Sequence, residues 1–337
     1  MPKALAQVQG TAANGKLGVA ANVPLRERLA SSGVESPKPC DRLVLGTAQF
    51  GLNYGIANVI GQPNARTVRR LVLSVWERGV RFFDTAQSYG ASEAALGSAL
   101  ASHSLNSEAC VITKLKLEND GRETAAVLHS IEGSLERLKV QRLWGLLVHD
   151  ETQLAQWHEV WGPMMDEARR AGLIGQVGIS VYSPQHAKVA LETEGLDIIQ
   201  VPANVFDRRM LRAGVFDRAR ELGKTVFIRS VYLQGLVTME PTSIPRSIPG
   251  ARAAIAAFRQ FCAEHQLDDG EFAVDHVRHQ APLARMIIGS ETVAQATENC
   301  ARLERSSFDE KVHHAWTARC PADDPVLIDP RGWNTAK

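Results

Sequence analysis

RFFDTAQSYGASE, residues 81–93, is the stretch on which the fold turns. Val80, Phe82 and Asp84 fall on one side of an extended run and Arg81 and Phe83 on the other. That alternation predicts a short strand closing on a carboxylate. Tyr89 follows five residues later, then Gly90, and a helical segment opens near Ser92 and runs through Glu93–Ala99. An acid at a strand end with a phenol on the next loop is how a parallel barrel presents groups at its mouth. A plainer reading, an Asp capping a helix and a packed loop Tyr, fits this stretch equally well, so the flanking chain has to decide.

The same strand–loop–helix pattern recurs on both sides. Upstream, LVLGTAQFG is an apolar strand ending at Gly46. A helix follows, with Asn64 as its cap, Val68, Leu71, Val75 and Trp76 at helical spacing, and Gly79 as its stop. Downstream, VITKL (111–115) precedes a helix over Glu123–Leu138, and LWGLLVH (143–149) precedes one over Gln153–Ala171. GQVGIS (175–180) leads into a helix opening at Ser183–Pro184, and DIIQV (197–201) into Met210–Leu222. KTVFIRS (224–230) is followed by an insertion and helices over Arg252–Glu264 and Glu271–His279; RMIIG (285–289) is followed by Val293–Leu303. Short apolar strands without polar alternation suit a parallel sheet covered on both faces. Eight strands, each followed by a helix, predict a closed (β/α)8 TIM barrel of the α/β class rather than an open doubly wound sheet. Neither GxGxxG nor GxxxxGK[ST] follows any strand, which removes Rossmann and P-loop nucleotide binding. The tail beyond Ser307, ending DDPVLIDPRGW, is expected to lay a short helix and an extended segment across the barrel.

The chain has 337 residues, 45% of them hydrophobic, enough for one large barrel domain over 41–337. Residues 1–40 are rich in Ala, Gly, Ser, Asn and Val and read as a leader or loosely attached arm. A formal net charge of +1 offers no broad footprint for nucleic acid or an anionic membrane. No apolar run is long enough to span a bilayer, and the N-terminus carries no apolar core of a secretory signal. Cys40, Cys110, Cys262, Cys300 and Cys320 are scattered, form no CxxC pair, and are expected as reduced thiols in a cytoplasmic protein. His276 and His279 lie one helical turn apart and His313–His314 are adjacent, but no third ligand has suitable local spacing, so no metal site is expected.

With the barrel assigned, the polar strand ends gain meaning. Asp84 ends the second strand and Tyr89 follows it, Lys114 ends the third, and His149 ends the fourth. Strand ends of a barrel face one mouth, so these four converge. A phenol, with an ordinary pKa of about 10, is a poor acid at neutral pH unless its anion is stabilised. A neighbouring ammonium is expected to lower that pKa, and a carboxylate beside the ammonium to keep it charged and directed. A neutral His holds a substrate oxygen by a hydrogen bond. Together they protonate an oxygen that gains negative charge, as a carbonyl does on accepting hydride.

FDTAQSYGASE, ITKL and LLVH, in this order and spacing, resemble the aldo-keto reductase family. The resemblance continues through GLIGQVGIS, IIQVPANVFDRR, IRSVYLQGLV and IIGSETVAQATEN, covering roughly Leu43–Leu303. It implies a nicotinamide cofactor at the C-terminal mouth and a catalytic tetrad of Tyr89 as acid, Lys114 and Asp84 as its tuning pair, and His149 as orienting donor. For the cofactor it implies Gln200 and Ser180 near the carboxamide, with Val181 where the family usually has Asn. Arg229 stands where an aromatic commonly stacks on the nicotinamide, and Ser230, Leu233, Gln234 and Gly235 match the loop near the diphosphate. Gly289 and Ser290 open the last helix, where free N–H groups suit a phosphate, and Glu298 and Asn299 match the adenine-side pair. Glu291 and Gln295 occupy positions where many NADPH-specific relatives carry basic residues to pair the 2′-phosphate, so NADP is expected on the family resemblance alone, with NAD as the alternative.

LGTAQFGLNYGIAN and IRSVYLQGL resemble more narrowly the branch associated with bacterial surface-polysaccharide or sugar biosynthesis, which would make Tyr54 and Asn204 substrate-side residues. The implied activity is NAD(P)H-dependent reduction of an aldehyde, ketone or sugar carbonyl to the alcohol, with a small-molecule carbonyl or sugar substrate and no nucleic-acid or membrane partner. The alternative is a nicotinamide-binding regulatory protein on the same fold with vestigial catalysis. Retention of the whole tetrad argues against it, because a sensor has no need of the acid.

Overall fold

In a computed structural model, the structure describes residues 39–115, 123–320 and 323–333. Eight strands close a parallel barrel in sequence order: β1 (Leu43–Gly46), β2 (Phe82–Asp84), β3 (Cys110–Leu115), β4 (Leu143–Val148), β5 (Ile174–Ser180), β6 (Ile198–Pro202), β7 (Thr225–Arg229) and β8 (Arg285–Gly289). Closure runs through β1, which pairs with both β2 and β8. Gly46 stands level with Asp84 on one side and Gly289 on the other, and Ser180 stands level with Gln200. The register therefore delivers the polar strand ends to one rim.

The barrel interior is plugged by Val44, Phe82, Ile112, Leu147, Ile198 and Phe227. Trp144 packs edge-on against Phe82 at 4.9 Å between ring centroids. Around this plug, the outward side chains of the strands meet the apolar stripes of the helices in one continuous layer. Removing a fully buried Leu, Ile or Phe from such a layer costs about 2–5 kcal/mol. A second core lies beside the barrel, where Phe206, Phe258, Phe261 and Phe272 surround Trp316 of helix Glu310–Arg319. Leu233, Leu236 and Val237 of the loop after β7 belong to it, as do Leu327, Ile328 and Trp333 of the tail.

Two expected helices are broken. Over 153–171 the chain runs as a 3-10 turn (Glu151–Gln156), a π turn (Trp157–Trp161) and an α-helix (Gly162–Arg170). Pro163 supplies no N–H to an α ladder, and the preceding turn widens. Both indoles gain from that: Trp157 donates to Glu194 O at 3.0 Å and Trp161 to Gln153 Oε1 at 3.2 Å. Over 210–222 the chain divides into Arg209–Arg212 and Val215–Glu221 at Gly214, whose φ is 73°. The tail carries helix Pro325–Ile328 and a 3-10 turn at Pro330–Gly332. Of the leader expected over 1–40, residues 1–38 lie outside the described residues; Cys40 is buried against Cys300 O and Glu304. No helix among the described residues is long and apolar enough to cross a membrane.

Candidate active site

Asp84 and Lys114 extend from adjacent strands. Asp84 is level with Ile112, so Lys114, two residues further on, points to the same side of the sheet. The Lys114 ammonium donates to Asp84 Oδ1 at 2.8 Å, to Asp84 Oδ2 at 2.7 Å and to Thr85 O at 2.9 Å. Gln200, from β6 across the mouth, donates to Asp84 Oδ1 at 2.8 Å. Lys114 and Asp84 are buried, at 0% and 3% exposure, so the pair is an internal ion pair with its donors satisfied.

Tyr89 is carried above this pair by a loop locked backbone to backbone. A Cβ on Gly51 would stand 1.9 Å from Tyr89 O, and one on Gly90 2.5 Å from Gly51 O. The loops after β1 and β2 therefore touch where neither tolerates a side chain. Hydroxyls complete the joint: Ser92 donates to Thr47 O at 2.7 Å, and Thr47 to Asp84 O at 2.9 Å. The Lys114 ammonium lies 5.1 Å from the centroid of the Tyr89 ring. His149 meets that ring edge-on at 6.0 Å. Ser88 Oγ stands 3.3 Å from His149 Nδ1; with Ser88 donating, the ring proton sits on Nε2, where it is available to a ligand oxygen.

The electrostatics differ in one respect from the expectation of a lowered phenol. Burial first, and then the charge of Asp84, push the Tyr89 hydroxyl above its ordinary pKa, while Arg229 opposes them. The ammonium expected to lower it is already committed to Asp84. Burial also pulls Lys114 down, against the upward pull of Asp84. His149 is pulled down to about 3 by burial, with the charges of Lys114 and Arg229 adding to the effect, so its ring is neutral through the physiological range.

These groups line one end of a cleft of about 620 Å³ whose other end reaches Glu298, Asn299 and Arg302. Asp84, Tyr89 and His149 are in its wall, with Lys114 beneath the floor. Ser180, Gln200, Arg229, Ser230, Gln234 and Gly235 line it. Gly289, Glu298, Asn299 and Tyr54 line it as well. Besides Lys114, three expected residues do not. Leu233 is buried in the second core, and Ser290 is buried beneath Asn299, whose Nδ2 donates to it at 3.2 Å. Asn204 is 0% exposed and is not part of the lining; its Oδ1 caps a turn by accepting from Phe206 N at 2.9 Å and Asp207 N at 3.1 Å, while its Nδ2 is buried without a partner.

Arg229 also differs from expectation. Its guanidinium lies over the ring of Tyr182, 3.6 Å from the centroid, and donates to Val181 O at 3.3 Å and Ser230 Oγ at 3.4 Å. One of its faces is thus already occupied.

Several lining residues went unread in the sequence. Gln49 fills the space above Gly289, where a Cβ would stand 2.5 Å from the amide. Tyr232 donates to Asn299 Oδ1 at 3.2 Å and receives Arg302 Nη1 at 3.0 Å. Arg302 is itself flanked by Asp268 at 3.2 Å and Glu298 at 3.4 Å. Outside the cleft lining, His279, Glu310 and His314 bring potential ligand atoms within 4.8 Å of one another, a grouping local spacing did not reveal.

At about 620 Å³ the cleft has the volume of a small-molecule or cofactor site. Gly289 and Gly235 in its wall leave no room for a side chain of their own, since a Cβ would meet Gln49 at 2.5 Å and Ala57 at 2.4 Å. Polar groups occur at both ends, as a nicotinamide dinucleotide requires.

A family model described as the Aldo/keto reductase family matches residues 42–319. The chain is 25% identical over 222 residues to Aldo-keto reductase YhdN of Bacillus subtilis, a match covering 64% of each chain. It is 25% identical over 303 residues to Uncharacterized oxidoreductase YrpG of the same organism, covering 80% of this chain and 89% of that one. Among solved structures, aldo-keto reductase AKR11C1 from Bacillus halodurans, in its holo form, superposes with a TM-score of 0.69 at 19% identity, covering 84% of this chain and 93% of that one. The glycerol dehydrogenase AKR11B4 from Gluconobacter oxydans superposes with a TM-score of 0.65 at 22% identity, over 86% and 93%. At these identities the two superpositions show a shared fold.

Proposed function

The chain belongs to the aldo/keto reductase family of NAD(P)H-dependent oxidoreductases, and we propose that it reduces an aldehyde, ketone or sugar carbonyl to the alcohol through Tyr89, Lys114, Asp84 and His149. The observation that carries this reading is the buried Lys114–Asp84 pair beneath Tyr89, with neutral His149 at the same end of the cleft.

Bound there, the nicotinamide supplies the hydride that reduces the carbonyl carbon. Neutral His149 donates from Nε2 to the carbonyl oxygen and fixes its direction. Tyr89 donates its hydroxyl proton to that oxygen as negative charge develops on it. A phenol held above its ordinary pKa stays protonated until that demand arises, and an alkoxide is basic enough to take its proton. Lys114 stands close enough for its charge to stabilise the phenolate that remains. Asp84 keeps the ammonium charged in a site whose burial disfavours charge.

Gln200 would hold the nicotinamide end with the amide valences that Asp84 leaves, with Ser180 beside it. Ser230, Gln234 and Gly235 would face the diphosphate, and Glu298 and Asn299 the adenosine. With Glu291, Gln295 and Glu298 in that part of the lining and Arg302 shared with two carboxylates, both NADP and NAD would be accepted.

Tyr89→Phe tests the assignment. Cofactor affinity should be kept, and turnover of an aldehyde should fall by about two to four orders of magnitude. Near-normal turnover with any good substrate would refute the assigned acid.

A further inference from the structure

The charges along the cleft are unevenly paired. At the reacting end, Lys114 is neutralised by Asp84 and His149 is neutral. Arg302, at the far end, is held between Asp268 and Glu298. Arg229 is the cleft-lining cation, among the described residues, that has no carboxylate in ion-pair contact. Its hydrogen bonds go to two neutral oxygens at 3.3 and 3.4 Å, and its Nε is buried without a partner. A guanidinium carries five N–H donors in a rigid fork, so this one is under-used.

Arg229 is nevertheless held in place. The ring of Tyr182 lies under it and also under Arg331, whose guanidinium carbon is 3.4 Å from the same centroid. Arg331 is ion-paired with Asp329 at 2.6 Å and with Glu151 at 3.9 Å, whereas Arg229, on the same ring, contacts neither carboxylate. Its field reaches the reacting groups, drawing down the pKa values of both Tyr89 and His149.

We propose that Arg229 is a substrate-binding residue, and that the natural substrate is a carbonyl compound bearing a carboxylate, which Arg229 holds while the carbonyl lies between Tyr89 and His149. Planar, bidentate recognition of a carboxylate is what an aromatic-braced guanidinium does best. Bracing by Tyr182 means that little side-chain freedom is lost when the anion arrives. This inference rests on the carbonyl-reducing reading of the same cleft. It differs from a ring-stacking role for Arg229 in using the edge N–H donors of the guanidinium, whose one face Tyr182 already covers.

The test uses matched alcohols, which bind beside reduced cofactor without reacting: 4-(hydroxymethyl)benzoate against 4-(hydroxymethyl)benzamide, and 4-hydroxybutanoate against 4-hydroxybutanamide. Each is titrated into the full chain saturated with NADPH or NADH, with tryptophan fluorescence as the readout. At least one acid should bind about 10–100-fold tighter than its amide, the range of a charge-assisted hydrogen bond. Arg229→Gln should erase that preference, Arg229→Lys should keep part of it, and the Kd for cofactor should change by less than about twofold in either variant. Equal binding of acid and amide by the parent protein would overturn the proposal. So would a preference that survives Arg229→Gln, or a loss of cofactor affinity matching the loss of acid affinity, which would make Arg229 a cofactor ligand. Failure of the carbonyl-reducing reading is seen separately, as no oxidation of reduced cofactor by the parent with any aldehyde, while the binding comparison still reports on Arg229.

Discussion

Replacing Lys114 with Met removes one partner of an internal ion pair and leaves the other in place. Asp84, at 3% exposure, then keeps the Gln200 amide at 2.8 Å but loses the ammonium from both oxygens. Breaking a buried pair from one side costs about 3–5 kcal/mol, chiefly because the remaining charge stays desolvated. For a barrel of this size the unfolding entropy is about 0.6 kcal/mol per degree, so the melting temperature should fall by about 5–8 °C. Turnover should fall further than Asp84→Asn makes it fall. Lys114→Met removes the charge that stabilises the phenolate and leaves Asp84 to oppose it, whereas Asp84→Asn removes a charge that raises the phenol's pKa. The pH–rate profile should therefore move in opposite directions in the two variants, upward in pH for Lys114→Met and downward for Asp84→Asn. Lys114→Met combined with Asp84→Asn should recover most of the lost stability, because neither site then holds an unpaired charge, but not the lost rate. Thermal and urea unfolding followed by circular dichroism, alongside rate–pH profiles with one aldehyde, supply the comparison. A single variant as stable as the parent, or a double variant no more stable than the single, would refute the ion-pair reasoning. An unchanged rate and profile in Lys114→Met would refute the proton-transfer scheme.

Protein-fluorescence titration should show discrimination between NADPH and NADH of less than about tenfold, and Glu291→Lys should shift it toward NADPH; exclusive, tight NADPH binding by the parent would mean that another basic group holds the phosphate. His149 and the buried His276 are both pulled down to about 3, each chiefly by burial. Above pH 6.5 the folded and unfolded forms are alike neutral; below it the unfolded chain takes protons the fold refuses. Stability should therefore drop by up to about 1.4 kcal/mol per pH unit for each group from pH 6.5 toward 3, and urea midpoints for His276→Leu should show a shallower slope. Gly51→Ala should destabilise the fold by about 1–3 kcal/mol and lower turnover while cofactor binding is kept, since the new methyl displaces the Tyr89 backbone; unfolding midpoints and steady-state rates check both.

The barrel was legible because its strands are continuous apolar runs, and such runs in alternation with amphipathic helices have few other ways to bury themselves. The strand-end residues Asp84 and Lys114 were legible for the related reason that a charge ending an apolar strand is conspicuous. What escaped depended on contacts between distant segments. Tyr182 reads as an ordinary loop residue until Arg229 from β7 and Arg331 from the tail are seen on its ring. Arg302 reads as an outward helix residue until Tyr232 is seen to receive it. Asn204 was expected from a resemblance of flanking motifs, which does not show that its Oδ1 turns its own backbone beneath the surface. The expected drop in the phenol's pKa failed because burial of the hydroxyl, which the sequence does not show, raises it first and the charge of Asp84 adds to that.

The second core decides what holds up one wall of the cleft. The layer between the strands and most of the helices reaches no further along the chain than Leu303. The helices after β7, Ala251–Glu264 and Asp269–Gln280, instead turn Phe258, Phe261 and Phe272 into the core that holds Trp316. Leu233, Leu236 and Val237 of the loop after β7 enter that core as well, together with Leu327, Ile328 and Trp333. Gln234 and Gly235 are thus buttressed from outside the repeating β/α units, and the shape of the wall they form depends on a segment that adds no strand to the barrel.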